Sequence, residues 1–100
     1  MTTEAQVLKS VAVVTTPKAE SYLAQLCKHF AHKIPATHEG GQGRIAFSAG
    51  VCRLEAADGQ LTMTVEGPDE AALAQLRDVM ERHLLRFAFR EDLAIVWRDG

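Results

Sequence analysis

The sequence predicts an α+β fold: a two-layer sandwich with two helices on one face of a mostly antiparallel sheet. Three observations carry this. Two segments repeat apolar residues at helical spacing, several short segments alternate apolar and polar residues, and most of those lie in succession between the two helices. The alternation also predicts an open sheet face, because a strand covered on both sides reads as a continuous apolar run.

The first strand is Val7 to Thr15, rich in the β-branched residues Val11, Val13, Val14 and Thr15. Thr16-Pro17 is a cap and first helical residue, and a helix is expected from Pro17 to about His32. Its apolar stripe is Ala19, Tyr22, Leu23, Leu26 and Phe30. Pro35 then admits only a short edge strand, Ile34 to His38. Gly40-Gly41-Gln42-Gly43 reads as a turn. Arg44 to Ala49 and Val51 to Ala56 both alternate, on either side of Gly50. Either Gly50 separates two strands or the stretch is one bulged strand. Asp58-Gly59 marks a tight hairpin into Gln60 to Glu66. Gly67-Pro68-Asp69-Glu70 opens a second helix that runs to about Phe87 on the stripe Ala72, Leu73, Leu76, Val79, Met80, Leu84 and Phe87. Phe89 is expected to plug the turn that follows, and Leu93 to Arg98 to form the last strand. The order is β-α-β-β-β(-β)-α-β, a ferredoxin-like variant or the related form of the TATA-binding protein. The block of successive strands favours the latter.

One hundred residues predict a single domain, 1–100, with one core. A net charge of -2 and only 6% aromatic residues argue against nucleic-acid binding, which needs a basic surplus and stacking platforms. The open face, with Arg44, Ser48, Arg53, Glu55, Thr62, Thr64 and Glu66, carries no aromatic platform either. Cys27 and Cys52 form no CxxC pair and no dense framework, which points to a reducing compartment. Met1 to Gln6 holds no apolar signal core, and no apolar run approaches a bilayer's thickness. The expected location is cytoplasmic, with no membrane partner. No glycine-rich loop precedes a helix, and nothing in the residues points to a nucleotide, flavin or haem cofactor.

The residues that carry chemistry gather at the two helix ends. His29 and His32 are three apart on one helix face, a spacing that offers two imidazoles to one metal. A metal site usually needs three or four ligands, and Cys27, Cys52, His38 and His83 are the candidates for the rest. Basic residues at helix C-termini are also favoured by the macrodipole alone, which accounts for Lys28, His29, His32 and Lys33 as well as Arg82, His83 and Arg86. By helical phase His83 falls within about 20° of Leu76, near the middle of the buried stripe. It must then find a hydrogen bond, ordinarily to a backbone carbonyl or a carboxylate. Arg86 and Arg90 flank Phe87 and Phe89 as candidate anion ligands, although such arginines ordinarily pair with acids, and Glu91 and Asp92 are close by. Cys27 sits at a negative helix end, which disfavours the thiolate and weighs against a catalytic cysteine. No residue is assigned a catalytic role. Leu85, opposite the stripe, should be exposed.

The segments Tyr22-Leu23-Ala24-Gln25-Leu26-Cys27-Lys28-His29-Phe30-Ala31-His32-Lys33, Gly43-Arg44-Ile45 and His83-Leu84-Leu85-Arg86-Phe87-Ala88-Phe89-Arg90-Glu91 resemble the bacterial family known as domain of unknown function 2218. The likeness runs from the first strand to Trp97. It implies a small bacterial α+β domain without an assigned activity. Some relatives stand beside, or are fused to, siderophore-interacting ferric reductases, which implies an iron-uptake context.

These readings lead to a non-enzymatic accessory or binding module as the expected function. Its site would lie where the helix ends meet, at His29, His32, His83, Arg86 and Arg90. Its partner would be a small molecule or anion, a metal complex or a protein. One alternative is a small enzyme with a histidine general acid-base. The other is a structural homodimer that buries the open sheet face or Leu85.

Overall fold

The structure is a computed structural model that describes residues 7–100. The expectation about a signal core concerned Met1 to Gln6, outside the described residues. The chain runs β1 (Leu8–Thr15), α1 (Ala19–Ala31), β2 (Ala36–Glu39), β3 (Gln42–Ala46), β4 (Val51–Ala57), β5 (Gln60–Gly67), α2 (Glu70–Phe87) and β6 (Trp97–Asp99). The six strands form one sheet in the order β2-β3-β4-β5-β1-β6. Every neighbouring pair is antiparallel. Two helices packed on one side make this an open α+β sandwich. Four strands separate the helices, where the ferredoxin-like order has two.

Gly50 divides the alternating stretch, as the first of the two readings has it. Phe47 N–H donates to Gly50 O at 2.7 Å and Gly50 N–H returns to Phe47 O at 3.3 Å, closing a tight turn between β3 and β4. A Cβ on Gly50 would fall 2.0 Å from Glu66 O, so no side chain fits there. The other two hairpins turn on Gly40-Gly41 and Asp58-Gly59, with φ positive at both positions of each, as two-residue loops require. Gln42 and Gly43 already belong to β3.

The core lies between sheet and helices. Leu26 of α1, Leu76, Met80 and Leu84 of α2, and Ile45, Leu61, Met63 and Val65 of the sheet are all 0–1% exposed. A large apolar side chain buried this far stabilises the fold by about 1.5–3 kcal/mol. Asp69 caps α2, its Oδ1 accepting from Ala72 N–H at 2.8 Å. The expected cap of α1 is different. The Thr16 hydroxyl accepts from Lys18 N–H at 3.1 Å and donates to the Glu91 carboxylate at 2.9 Å, so it is spent on the turn before the helix. Lys18 is the residue before the first helical turn, and no side chain caps it.

Glu91 also accepts a hydrogen bond from the Tyr22 hydroxyl. This clasp ties the segment after α2 to the start of α1. It changes the last strand. Leu93, Ile95 and Trp97 pack against the core, but of the strand expected from Leu93 to Arg98 the ladder to β1 begins only at Trp97, opposite Ala12. The chain is held at Glu91 and reaches the sheet late. Phe89 corrects another expectation: it is 74% exposed, while Ala88 is 1% exposed and fills the corner. Ala88 N–H bonds Leu84 O and Glu91 N–H bonds Ala88 O, both at 2.9 Å, and this turn swings Phe89 outward. Leu85 is 41% exposed, as its helical phase requires.

Burial first, then the hydrogen bond to Glu91 and the charge of that carboxylate, pushes the Tyr22 hydroxyl up from 10.0 to about 12. The folded chain keeps this proton longer than the unfolded chain. Its contribution is therefore complete below pH 10 and is lost as pH rises towards 12. We expect denaturant melts to show up to about 3 kcal/mol of alkaline destabilisation over that interval, absent in Tyr22→Phe. Tyr22 is the sole tyrosine, so tyrosinate absorbance reads its titration directly. Gly50→Ala should cost about 3 kcal/mol or more in the same melts, because Glu66 carbonyl and added methyl claim one space.

Candidate functional site

The C-terminal ends of α1 and α2 meet over one end of the sheet. His29 of α1 and His83 of α2 bring their ring centroids to 4.9 Å, tilted by 50°. Phe30 packs against both, at 5.1 Å from His29 and 4.8 Å from His83. Phe87 lies 5.7 Å from His29, edge to face, and Phe47 lies 5.1 Å from Phe30. Two imidazoles thus stand among three phenyl rings. Phe47 was not singled out as a site residue from the sequence. Its alternation marks it as inward-facing, and only the tight turn at Gly50 carries it to the α1 end.

His83 is half-buried, at the rim of the stripe and not at its middle. Its Nδ1 lies 2.7 Å from Val79 O, one turn back on the same helix. A carbonyl oxygen only accepts, so Nδ1 carries the hydrogen. In the neutral ring Nε2 then carries the lone pair. This is the tautomer that a second hydrogen bond fixes in metal-ligating histidines.

The surroundings of the pair are positive. Partial desolvation among the rings lowers the His29 pKa below its ordinary 6.5, and the charges of His83, Arg86, His32 and Lys33 push it the same way. His29 is nonetheless exposed, so the pair sits at the surface. Two depressions lie elsewhere, on the open sheet face. One of about 300 Å³ is lined by Gln42, Arg53, Glu55, Thr62 and Thr64 among others. Its neighbour of about 480 Å³ includes His38, Arg44 and Arg53.

The remaining candidates separate. His32 stands exposed at the C-terminal cap of α1 and contributes charge rather than a ring contact. Cys27 does not join the histidines. Two residues before His29, it points about 200° away around the helix. It is 1% exposed against the sheet, where a Cβ on Gly43 would come within 2.7 Å of its Sγ. Burial raises its thiol pKa, partly opposed by a hydrogen bond from the Arg44 backbone. Cys52 is buried beneath β4, and burial first, then the Cys27 and Glu66 charges, raises its pKa strongly. His38 is on the exposed edge strand β2. Among the described residues no group of three or more His, Cys, Asp or Glu is placed to hold a metal ion.

The arginines also part company. Arg86 acts on His29, whereas Arg90 lies over the ring of its neighbour Phe89, 5.3 Å from the centroid. Neither pairs with Glu91 or Asp92. Ion pairs among the described residues are Lys9–Glu66, Arg53–Glu66, Arg77–Glu70 and Arg82–Asp78. The expected partner Glu91 is taken by the hydroxyls of Thr16 and Tyr22. The sequence signal for that clasp was Tyr22 itself, since a tyrosine in a buried stripe needs a partner for its hydroxyl.

An open α+β sandwich with a cationic, aromatic patch at its paired helix ends is the class that fold and geometry define. Residues 11–98 match the family described as "Uncharacterized protein conserved in bacteria (DUF2218)". The chain belongs to this family. It is also similar to the protein in the NMR structure of PA4090 from Pseudomonas aeruginosa, with 35% identity, a TM-score of 0.79, and 91% of this chain and 95% of that chain covered. No curated protein matches the chain. No helix among the described residues is long and apolar enough to cross a membrane.

His29 is harder to protonate in the folded chain. The stability it contributes is present above pH 6.5 and is lost as pH falls below that value. Arg86→Ala removes one of the repelling charges and should raise the His29 pKa towards 6.5. NMR titration of the imidazole carbon-bound protons measures this shift. An unchanged His29 titration would contradict the influence of the Arg86 charge on the pair.

Proposed function

We propose that this domain is a non-enzymatic binding module whose site is the His29–His83 pair, and whose ligand is an anionic metal chelate with open coordination positions. The observation that carries this reading is the bond between His83 Nδ1 and Val79 O, which leaves Nε2 free to coordinate, beside a second imidazole ring at 4.9 Å. Two imidazoles are too few to hold a bare metal ion, which takes three or four protein ligands. A metal that arrives with its own ligands needs only the remaining positions filled. The charges of Arg86, Lys33 and His32 repel a free cation and attract a negative complex. The rings of Phe30 and Phe87 supply apolar contact for the chelator's carbon skeleton. Ferric complexes of polycarboxylate chelators, or of two bidentate catecholates per iron, carry this charge and leave such positions, consistent with the iron-uptake context that the family resemblance implies.

Calorimetric titration with ferric citrate, with nickel nitrilotriacetate and with each chelator alone tests the reading. The wild type should bind both complexes, and His29→Ala and His83→Ala should each weaken binding at least about tenfold, about 1.4 kcal/mol. Chelators without metal should bind more weakly through charge alone. Absence of binding by either complex, or equal binding by wild type and His83→Ala, sinks the proposal.

A further inference from the structure

The open sheet face, away from the helices, has two unlike halves. On β3 and β4 it is charged; on β1 and beyond Val11, Val13 and Val96 make an apolar centre, with Lys9 and the β6 residue Arg98 charged at its margins. The register aligns Arg44 with Arg53, Arg53 with Thr64, and Thr64 with Val11 in one row across the strands. Two residues along, a second row aligns Gln42 with Glu55, Glu55 with Thr62, and Thr62 with Val13. Two arginines directly opposite each other on neighbouring strands repel, and such a pair costs stability unless something offsets it. Arg53 reaches Glu66 at 3.4 Å, but Arg44 and Glu55 enter none of the ion pairs among the described residues. On the other half, Val13 is 48% exposed and Val96 is 68% exposed.

We propose that two copies of this chain associate through these faces. The two-fold axis lies between the faces, runs across the strands, and passes midway between the two rows. This axis lays each row on the other row of the second copy. Glu55 then meets Arg53 and sits beside Arg44, which offsets the repulsion between the arginines. Thr62 meets Thr64, and Val13 meets Val11. An axis along the strands would instead set the charged half on the apolar half. The chosen axis also carries a uniformly twisted sheet onto a parallel copy of itself, so the faces stay in contact along their width. A six-stranded face of these strand lengths spans roughly 560 Å² at ordinary spacing and rise. That is well below the ~800 Å² per partner of a standard interface. The association is therefore weak, reversible and salt-sensitive. It leaves the helix-end site facing outward on both copies, and does not depend on the function assigned to that site.

Sedimentation equilibrium of the full chain over a concentration series, at low and high salt, tests this. The wild type should pass from monomer to dimer as concentration rises at low salt, and less readily at high salt. Glu55→Arg should raise the dissociation constant at least about tenfold, and combining it with Arg44→Glu should restore much of the loss. Val13→Lys, on the apolar half and at an exposed position, should also dissociate the dimer. Lys28→Glu, on the helix side, should leave association unchanged. Circular dichroism of each variant confirms folding. A wild type monomeric at millimolar concentration, or a dimer indifferent to both Glu55→Arg and Val13→Lys, overturns the proposal.

Discussion

Six strands are covered from one side only, by two helices, and this one-sided covering decides where the rest of the chain can go. Each strand must send alternate residues towards Leu26, Leu76, Met80 and Leu84. The residues in between are left on a face with nothing over it. The helices have little choice of position, because their apolar stripes must both lie on the same strip of sheet. That strip brings their C-terminal ends together.

Meeting C-termini create an electrostatic problem that the sequence answers. Each helix end carries a partial negative charge, and basic side chains in the last turn offset it. Lys28 and His29 do this for α1 and Arg86 for α2. Once the ends adjoin, the capping residues of one helix also act on those of the other. His29 then feels Arg86 and His83, which belong to a different element. The result is more positive than either helix requires by itself. This surplus is set among phenyl rings and beside a fixed imidazole tautomer, and it exceeds what capping two separate helices asks for.

Glu91 shows how one carboxylate can redirect a chain. By local reasoning it belonged to Arg86 or Arg90. In the fold it lies against Thr16 and Tyr22, the second of which is buried and has no other acceptor. Satisfying that buried hydroxyl outweighs a solvent-exposed ion pair, which contributes little in water. The consequences extend along the C-terminal segment: Phe89 turns outward, Arg90 settles over its ring, and β6 joins the sheet at Trp97, four residues later than the expected start at Leu93.

Periodicity and turn chemistry determined the α+β class, the open face, two hairpin turns and the element order up to the division at Gly50, which the structure settles. These follow from repeats of two and 3.6 residues and from turn chemistry, which are local properties of a chain. Periodicity also marked the helix-end histidines as unusual. Which of them share a site was decided only by tertiary structure. His29 and His32 are neighbours in sequence phase, yet the partner of His29 is His83, more than fifty residues away, because helix packing and not helical spacing sets that distance. Cys27 was lost to the core for the same reason: the face of α1 that meets the sheet is fixed by burial, and Cys27 lies on it.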